Sequence, residues 1–240
     1  MSDDEIAAAL SSGAKPAEFQ RAIEQLTRRM TSDPGAAKRF YPALIELSRE
    51  EALPDPQLRL LVVWAMQYDR TESPELREAL AAALADRHPL VRFNAATSLA
   101  RHRDGRARVV LLEMLAPYPV TAPVAGRVTQ LLEGGRKPDV GRRLARIERE
   151  GGPAEDVAAP FDAQVGQVFV SVDREVAEGE RLMNLLPRSL QAQNALAALY
   201  LVGTEAELPV IDRYAAGAIE GLSDTVAEQA RATAARIREE

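Results

Sequence analysis

Apolar and small residues recur at helical spacing through most of this chain. In "PLVRFNAATSLARHRDG", residues 89–105, Val91, Ala95, Ala96 and Leu99 fall on one side of a 3.6-residue period. Stepping back by 33 lands on Leu58, Val62, Val63 and Met66, and stepping forward by 33 lands on Val124, Val128, Thr129 and Leu132. At an offset of 100 the pattern returns, with Asn194-Ala195 on Asn94-Ala95, Leu199 on Leu99 and Val210-Ile211 on Val110-Leu111. A last copy begins near Asp224. Each copy is followed by a turn and a second amphipathic run, such as "SPELREALAAALAD" or "TEAELPVIDRYAA", so the predicted unit is a helical hairpin that stacks on its neighbours.

One stretch breaks the period. In "PFDAQVGQVFVSVDREVAEGERLMNLLP", residues 160–187, Val168, Val170 and Val172 alternate with Phe169 and Ser171, Asp173-Arg174-Glu175 reads as a turn, and Val176, Gly179, Leu182 and Leu185 follow. Upstream, "EREGGPAEDVAAP" carries the Gly and Pro residues of a linker. The expected organisation is helical repeats over 1–150, a linker and β insertion over 151–187, and helical repeats over 188–240 that pack on the first segment. The fold class is mainly α, a solenoid of stacked helical hairpins with a small inserted β hairpin or half-barrel.

Composition supports helix packed on helix: 46% of residues are hydrophobic and only 5% aromatic, and small side chains let helix axes approach. The acidic start "MSDDEIAAALSSG" lacks a basic, then apolar, leader, and no segment reaches the roughly 20 apolar residues of a membrane span, so a cytoplasmic location is expected. With no Cys, thiolate metal sites, disulfides and Cys nucleophiles are excluded. His88 and His102 have no companion ligands at metal-binding spacing.

Asp86, Pro89, Val91, Arg92, Ala95, Ala96 and Leu99 resemble the short bacterial form of the HEAT repeats. The resemblance implies that the Asp and the Arg are structural, bonding within and between units. Leu53 replaces the Asp one period back. Ala159-Pro160, Ala163, Val165, Val170, Val176, Gly179 and Leu182 resemble one half of a biotinyl/lipoyl-like barrel of the membrane fusion protein type, whose pattern has Gly where this chain has Ala163 and Asp173. Such a barrel needs two halves, so the other comes from a partner, from a second copy, or from nowhere, in which case the hairpin is an ornament on the helices. A carrier domain needs a Lys on an exposed hairpin. Lys15, Lys38 and Lys137 all lie outside 157–187, so no covalently held cofactor is expected.

Charge is uneven. The chain is at −6, yet residues 87–149 hold twelve Arg and Lys137 against five acids, which leaves the remainder strongly acidic. On a helix Arg142, Arg146 and Arg149 would form one basic stripe, with Arg136 and Lys137 just before it, facing a groove that gathers anionic partners. Residues 155–187 hold seven acids against two Arg, so self-association through the insertion is a further expectation. Phe93 and Tyr118 alone could stack on bases in the basic window, so specific nucleic-acid binding is not expected. No phosphate-binding loop, nucleophile elbow or catalytic carboxylate pair appears; Glu178 and Glu180 lie close in sequence without a reason for a raised pKa.

Two readings follow. The first is a non-catalytic protein-interaction scaffold with no cofactor or metal, binding an unidentified protein through Arg136, Lys137, Arg142, Arg146, Arg149, Val168, Val170 and Val172. The second is a nucleic-acid-associated HEAT-like protein, related to DNA glycosylases or lyases of similar build, using the surface of 87–149.

Overall fold

The computed structural model describes residues 1–10, 15–149, 151–219 and 221–239. Two compact units divide it: Met1–Leu111 with Leu201–Gly203, and Leu112–Tyr200 with Thr204 onward.

The first unit is helical: α1 (Asp3–Ala9), α2 (Pro16–Ser32), α3 (Pro34–Ala37), α4 (Tyr41–Leu47), α5 (Pro56–Met66), α6 (Pro74–Ala83), α7 (Pro89–Arg101) and the start of α8 (Arg108–Leu115). Proline sets the first turn of α2, α5, α6 and α7, where its fixed φ suits the helix and its missing N–H is not needed. The 33-residue step is literal, since α5 and α7 begin at Pro56 and Pro89. Val62, Val63 and Met66 of the expected stripe on α5, and Val91, Ala95, Ala96 and Leu99 on α7, are all at 0% exposure, while Leu58 at the start of the α5 stripe is half-buried. Between these helices the buried Ser98 hydroxyl donates to the Val63 carbonyl, 3.4 Å away.

Arg59 and Asp86 tie one repeat to the next. The Arg59 guanidinium meets the Asp86 carboxylate with two bonds, of 2.8 and 3.0 Å, and donates to the Leu53 and Pro54 carbonyls. Arg92 makes the same reach one period later, to the Asp86 and Arg87 carbonyls.

The second unit begins with strands where helix was expected. These are β1 (Tyr118–Thr121), β2 (Gly126–Leu131), β3 (Arg143–Glu148), β4 (Glu155–Ala158), β5 (Ala163–Val168), β6 (Glu175–Val176) and β7 (Arg181–Pro187). One antiparallel sheet has the order β1-β7-β5 and the other β4-β3-β2-β6. The copy sought at Val124, Val128, Thr129 and Leu132 is therefore not a helix. Pro117, Pro119 and Pro123 remove backbone donors, and Val120, Thr121, Val128 and Thr129 are β-branched. The stripe of Arg142, Arg146 and Arg149 is not helical either. Leu144 and Ala145 are buried in succession because the pairing slips between Arg143 and Ala145, so the buried Leu144 and Ile147, three residues apart, imitate helical spacing within a bulged strand.

The strands of 118–187 fall into two matching sets. β1, β2 and β3 recur as β4, β5 and β7 at offsets of 37, 37 and 38. The backbone bonds repeat with them. Val128 N–H donates to the Arg174 carbonyl (2.9 Å) and Val165 N–H to Arg136 (2.7 Å), while Asp173 N–H donates to Val128 and Gly135 N–H to Val165, each at 2.7 Å. Ala122 N–H donates to Glu180 and Ala159 N–H to Arg142, each at 2.8 Å. Gly141 and Gly179 occupy equivalent left-handed turns, as do Gly135 and Asp173, the position where the half-barrel pattern has Gly. The halves exchange first strands, since β1 pairs with β7 and β4 with β3. Two expectations are corrected. The stretch 157–187 is no half-barrel with an open edge, because β5 bonds to β7 on one side and to the backbone at 135–138 on the other. The supposed linker is the connection between the paired strands β3 and β4; its Glu150 lies outside the described residues.

The unit continues with α9 (Ser189–Val202), α10 (Leu208–Ala215) and α11 (Asp224–Glu239). α7 and α8 recur as α9 and α10 at the expected offset of 100, including the 3-10 turn at Gly105–Ala107 and its copy at Glu205–Glu207. The buried Thr233 hydroxyl on α11 donates to the Leu196 carbonyl on α9, 3.0 Å away.

Candidate functional site

A groove of about 850 Å3 runs along α4 and α6 in the helical unit. Ile45 of α4, Ser48 that caps it, Ala79, Ala82 and Ala83 of α6, and Ala85 line it. The alanines keep α6 thin, so no side chain fills the space. Acids stand around it, Glu50, Glu51, Glu75, Glu78 and Asp86, with one cation, Arg49, which pairs with Glu46 at 3.2 Å. Asp86 is committed to Arg59 in the interior. The exposed Glu78 accepts from Arg106 at 2.9 Å, and this bond lowers its pKa. Glu75 is lowered by its bond from the Ser73 hydroxyl at 2.7 Å. Glu51 has no ion pair among the described residues.

Asp69 fixes the two helices that form the groove. Its carboxylate accepts from the Tyr41 hydroxyl at 2.6 Å, at the first residue of α4, and from the Thr71 and Ser73 amides at 2.8 and 2.7 Å, at the entry to α6. Burial alone would raise the pKa of Asp69; the bonds from Tyr41, Thr71 and Ser73 outweigh it and hold the group below its usual range. Burial, and then the bond to Asp69, push the Tyr41 hydroxyl up to about 12.

The basic residues singled out in the sequence lie in the second unit. Arg136, Lys137 and Arg142 line one cleft of about 440 Å3, with Leu132, Gly135, Pro138 and Asp139. All three cations are exposed and make no ion pair among the described residues. Arg188 shapes this loop, donating to the carbonyls of Lys137 (2.6 Å), Pro138 (2.8 Å) and Ala163 (3.0 Å) and to the Asp139 carboxylate (3.0 Å). Arg146 is spent on Asp156, at 3.1 Å, together with Arg143 at 3.0 Å. Arg149 is exposed beyond the end of β3. The structure thus gathers three of the five cations on a β loop.

The valines do not share one face. Val168 ends β5 half-buried, Val170 is buried, and Val172 is exposed at the turn. Glu180 bonds to Arg174 at 2.6 Å, and Glu178 is exposed in the turn before β7. His88 precedes α7 and His102 caps its end. Among the described residues no group of three His, Cys, Asp or Glu could hold a metal ion, and no helix is long and apolar enough to cross a membrane.

Sequence reasoning missed the groove, Asp69 and Arg188. The available signal for the groove was "EALAAALAD", an amphipathic helix with alanine where larger apolar residues would close the gap.

No curated protein matches the chain. Among solved structures, a single-chain, multi-domain long-chain acyl-CoA carboxylase is similar at 19% identity over 43% of this chain and 9% of that one, with a TM-score of 0.29, too slight a likeness to bear on fold or activity. Residues 41–132 match the family model of the HEAT repeats, which supports repeats of this kind in that segment; the last matched residues fall on β1 and β2.

Proposed function

We propose that the chain is a non-catalytic protein-interaction scaffold, and that the groove along α4 and α6 takes an amphipathic basic segment of its partner. The observation that carries this reading is an alanine-floored channel with exposed carboxylates beside it. An apolar floor takes up the partner's apolar side chains, while acids at the margin select cations and exclude acidic segments. The HEAT match over 41–132 is consistent with this role, because stacked helical hairpins offer extended binding surfaces.

The segment 118–187 is, in this reading, a biotinyl/lipoyl-like domain without a carried cofactor. Its support is the duplication, two halves of matching strands and matching backbone bonds. Lys137 does belong to this segment, contrary to the boundary drawn from sequence, but it lies in the β2–β3 loop under the Arg188 clamp, and residues 149–154 between the halves contain no Lys. The nucleic-acid reading is less well supported. The cations of 87–149 divide between two units, and Arg106 is already bonded to Asp104 and Glu78.

A photo-crosslinking residue at position 82 tests the proposal, with one at the exposed Gln57 as control. The expected outcome is one protein captured from position 82, not from 57, and lost when Glu51 and Glu78 are both changed to Lys. Equal capture at both positions, or none at 82, would contradict it.

A further inference from the structure

The duplicated halves of the β segment carry opposite charges on equivalent loops. At the offset of 38, Lys137 corresponds to Glu175 and Arg142 to Glu180, whereas Arg136 corresponds to Arg174 and keeps its sign, and the framework beneath them keeps the same turns and backbone bonds. A shared framework with inverted charge gives one molecule two similar surfaces of opposite sign. On the basic side, Arg136, Lys137 and Arg142 line an open cleft and lack an ion pair among the described residues. On the acidic side, Glu175 and Glu178 are exposed and likewise lack one, whereas Glu180 is occupied by Arg174.

We propose that copies of this chain associate head to tail, the basic β2–β3 loop of one copy receiving the acidic turn of the next, with Glu175 and Glu178 as its charged contacts. A two-fold pairing of identical loops would oppose like charges. Pairing of unlike loops removes that repulsion; when each loop meets a different copy, one loop of each sign is left free for further growth into a heterologous ring or an open chain, and when both meet the same copy a two-fold dimer closes. Exposed ion pairs are individually weak and screened by salt, so the association should be weak and salt-sensitive. This inference does not depend on the α4–α6 groove, which no residue invoked here lines.

Sedimentation velocity of the full chain, alone and across a concentration series, tests it. The wild type should gain average mass with concentration at low ionic strength, and should be monomeric at about 1 M salt, where the screening length falls to about 3 Å. Lys137→Glu with Arg142→Glu makes both loops acidic, and Glu175→Lys with Glu178→Lys makes both basic. Each double variant alone should stay monomeric, and an equimolar mixture should associate again. Restoration in the mixture also shows that the variants are folded. A wild type monomeric at low salt, a double variant that associates like the wild type, or a mixture that stays monomeric would each overturn the proposal. Ala82→Glu, in the groove, should leave the self-association unchanged.

Discussion

Asp86 takes the side chain of Arg59 across a full repeat, and Arg92 then grips the backbone at Asp86 as Arg59 grips it at Leu53 and Pro54. The Arg59–Asp86 pair is almost wholly enclosed, its side chains 2% and 4% exposed. Position 119, one repeat beyond Asp86, is proline and lies in β1.

Removing one partner of this pair should cost more than removing both. Arg59→Met leaves the Asp86 charge buried without its counter-ion, at about 3–5 kcal/mol, while Arg59→Met with Asp86→Leu should recover much of that loss. Urea unfolding followed in the helical unit would show the ordering, and equal losses in the two variants would contradict it.

Asp69 predicts a two-sided pH dependence. Its folded pKa lies below the usual 3.8, so its contribution is present above that value and is lost as pH falls through the lowered one. The Tyr41 hydroxyl is raised from 10.0 to about 12, so its contribution is intact below pH 10 and lost as pH rises toward 12. Asp69→Asn should flatten the acid limb of stability and move the Tyr41 titration down. It should not return fully to its usual value, because burial is the larger cause. Tyrosinate absorbance and acid unfolding midpoints read both effects.

Gly126 tests the β segment. A Cβ there would lie 2.3 Å from the Glu148 carbonyl oxygen on the paired strand β3, and backbone cannot swing aside as a side chain can. Gly126→Ala should destabilise this segment by about 1–3 kcal/mol through forced separation of β2 and β3. Hydrogen exchange should show faster exchange at Val128 and Ile147 and unchanged protection at Val63 and Leu99.

Much of the helical part was legible because burial there obeys one period: Val62, Val91 and Leu99 are core in the predicted register, and the offset of 100 recurs in whole elements. The first β half was not legible because proximity in sequence favoured the wrong comparison. Val124 and Val128 fit a 33-residue helical step, while the truer match, Ala122-Pro123 to Ala159-Pro160 and Leu144 to Leu182, sat at 37 and 38. The bulge after Arg143 then disguised β3 as a helix. The cluster of Arg136, Lys137 and Arg142 emerged from charge alone, although its backbone was misassigned. The groove was hidden for a different reason: alanine serves equally as tight packing, as at Ala95, and as open floor, as at Ala82, and only the neighbouring helix decides which.

The most direct test of the scaffold reading is the affinity of the protein captured at position 82 for the wild type and for Ala82→Glu. Residue 82 is exposed on α6, so the substitution should leave the melting temperature unchanged while placing a bulky charge on the groove floor. The account predicts at least a tenfold loss of affinity, about 1.4 kcal/mol. Unchanged binding by an equally stable variant would contradict it.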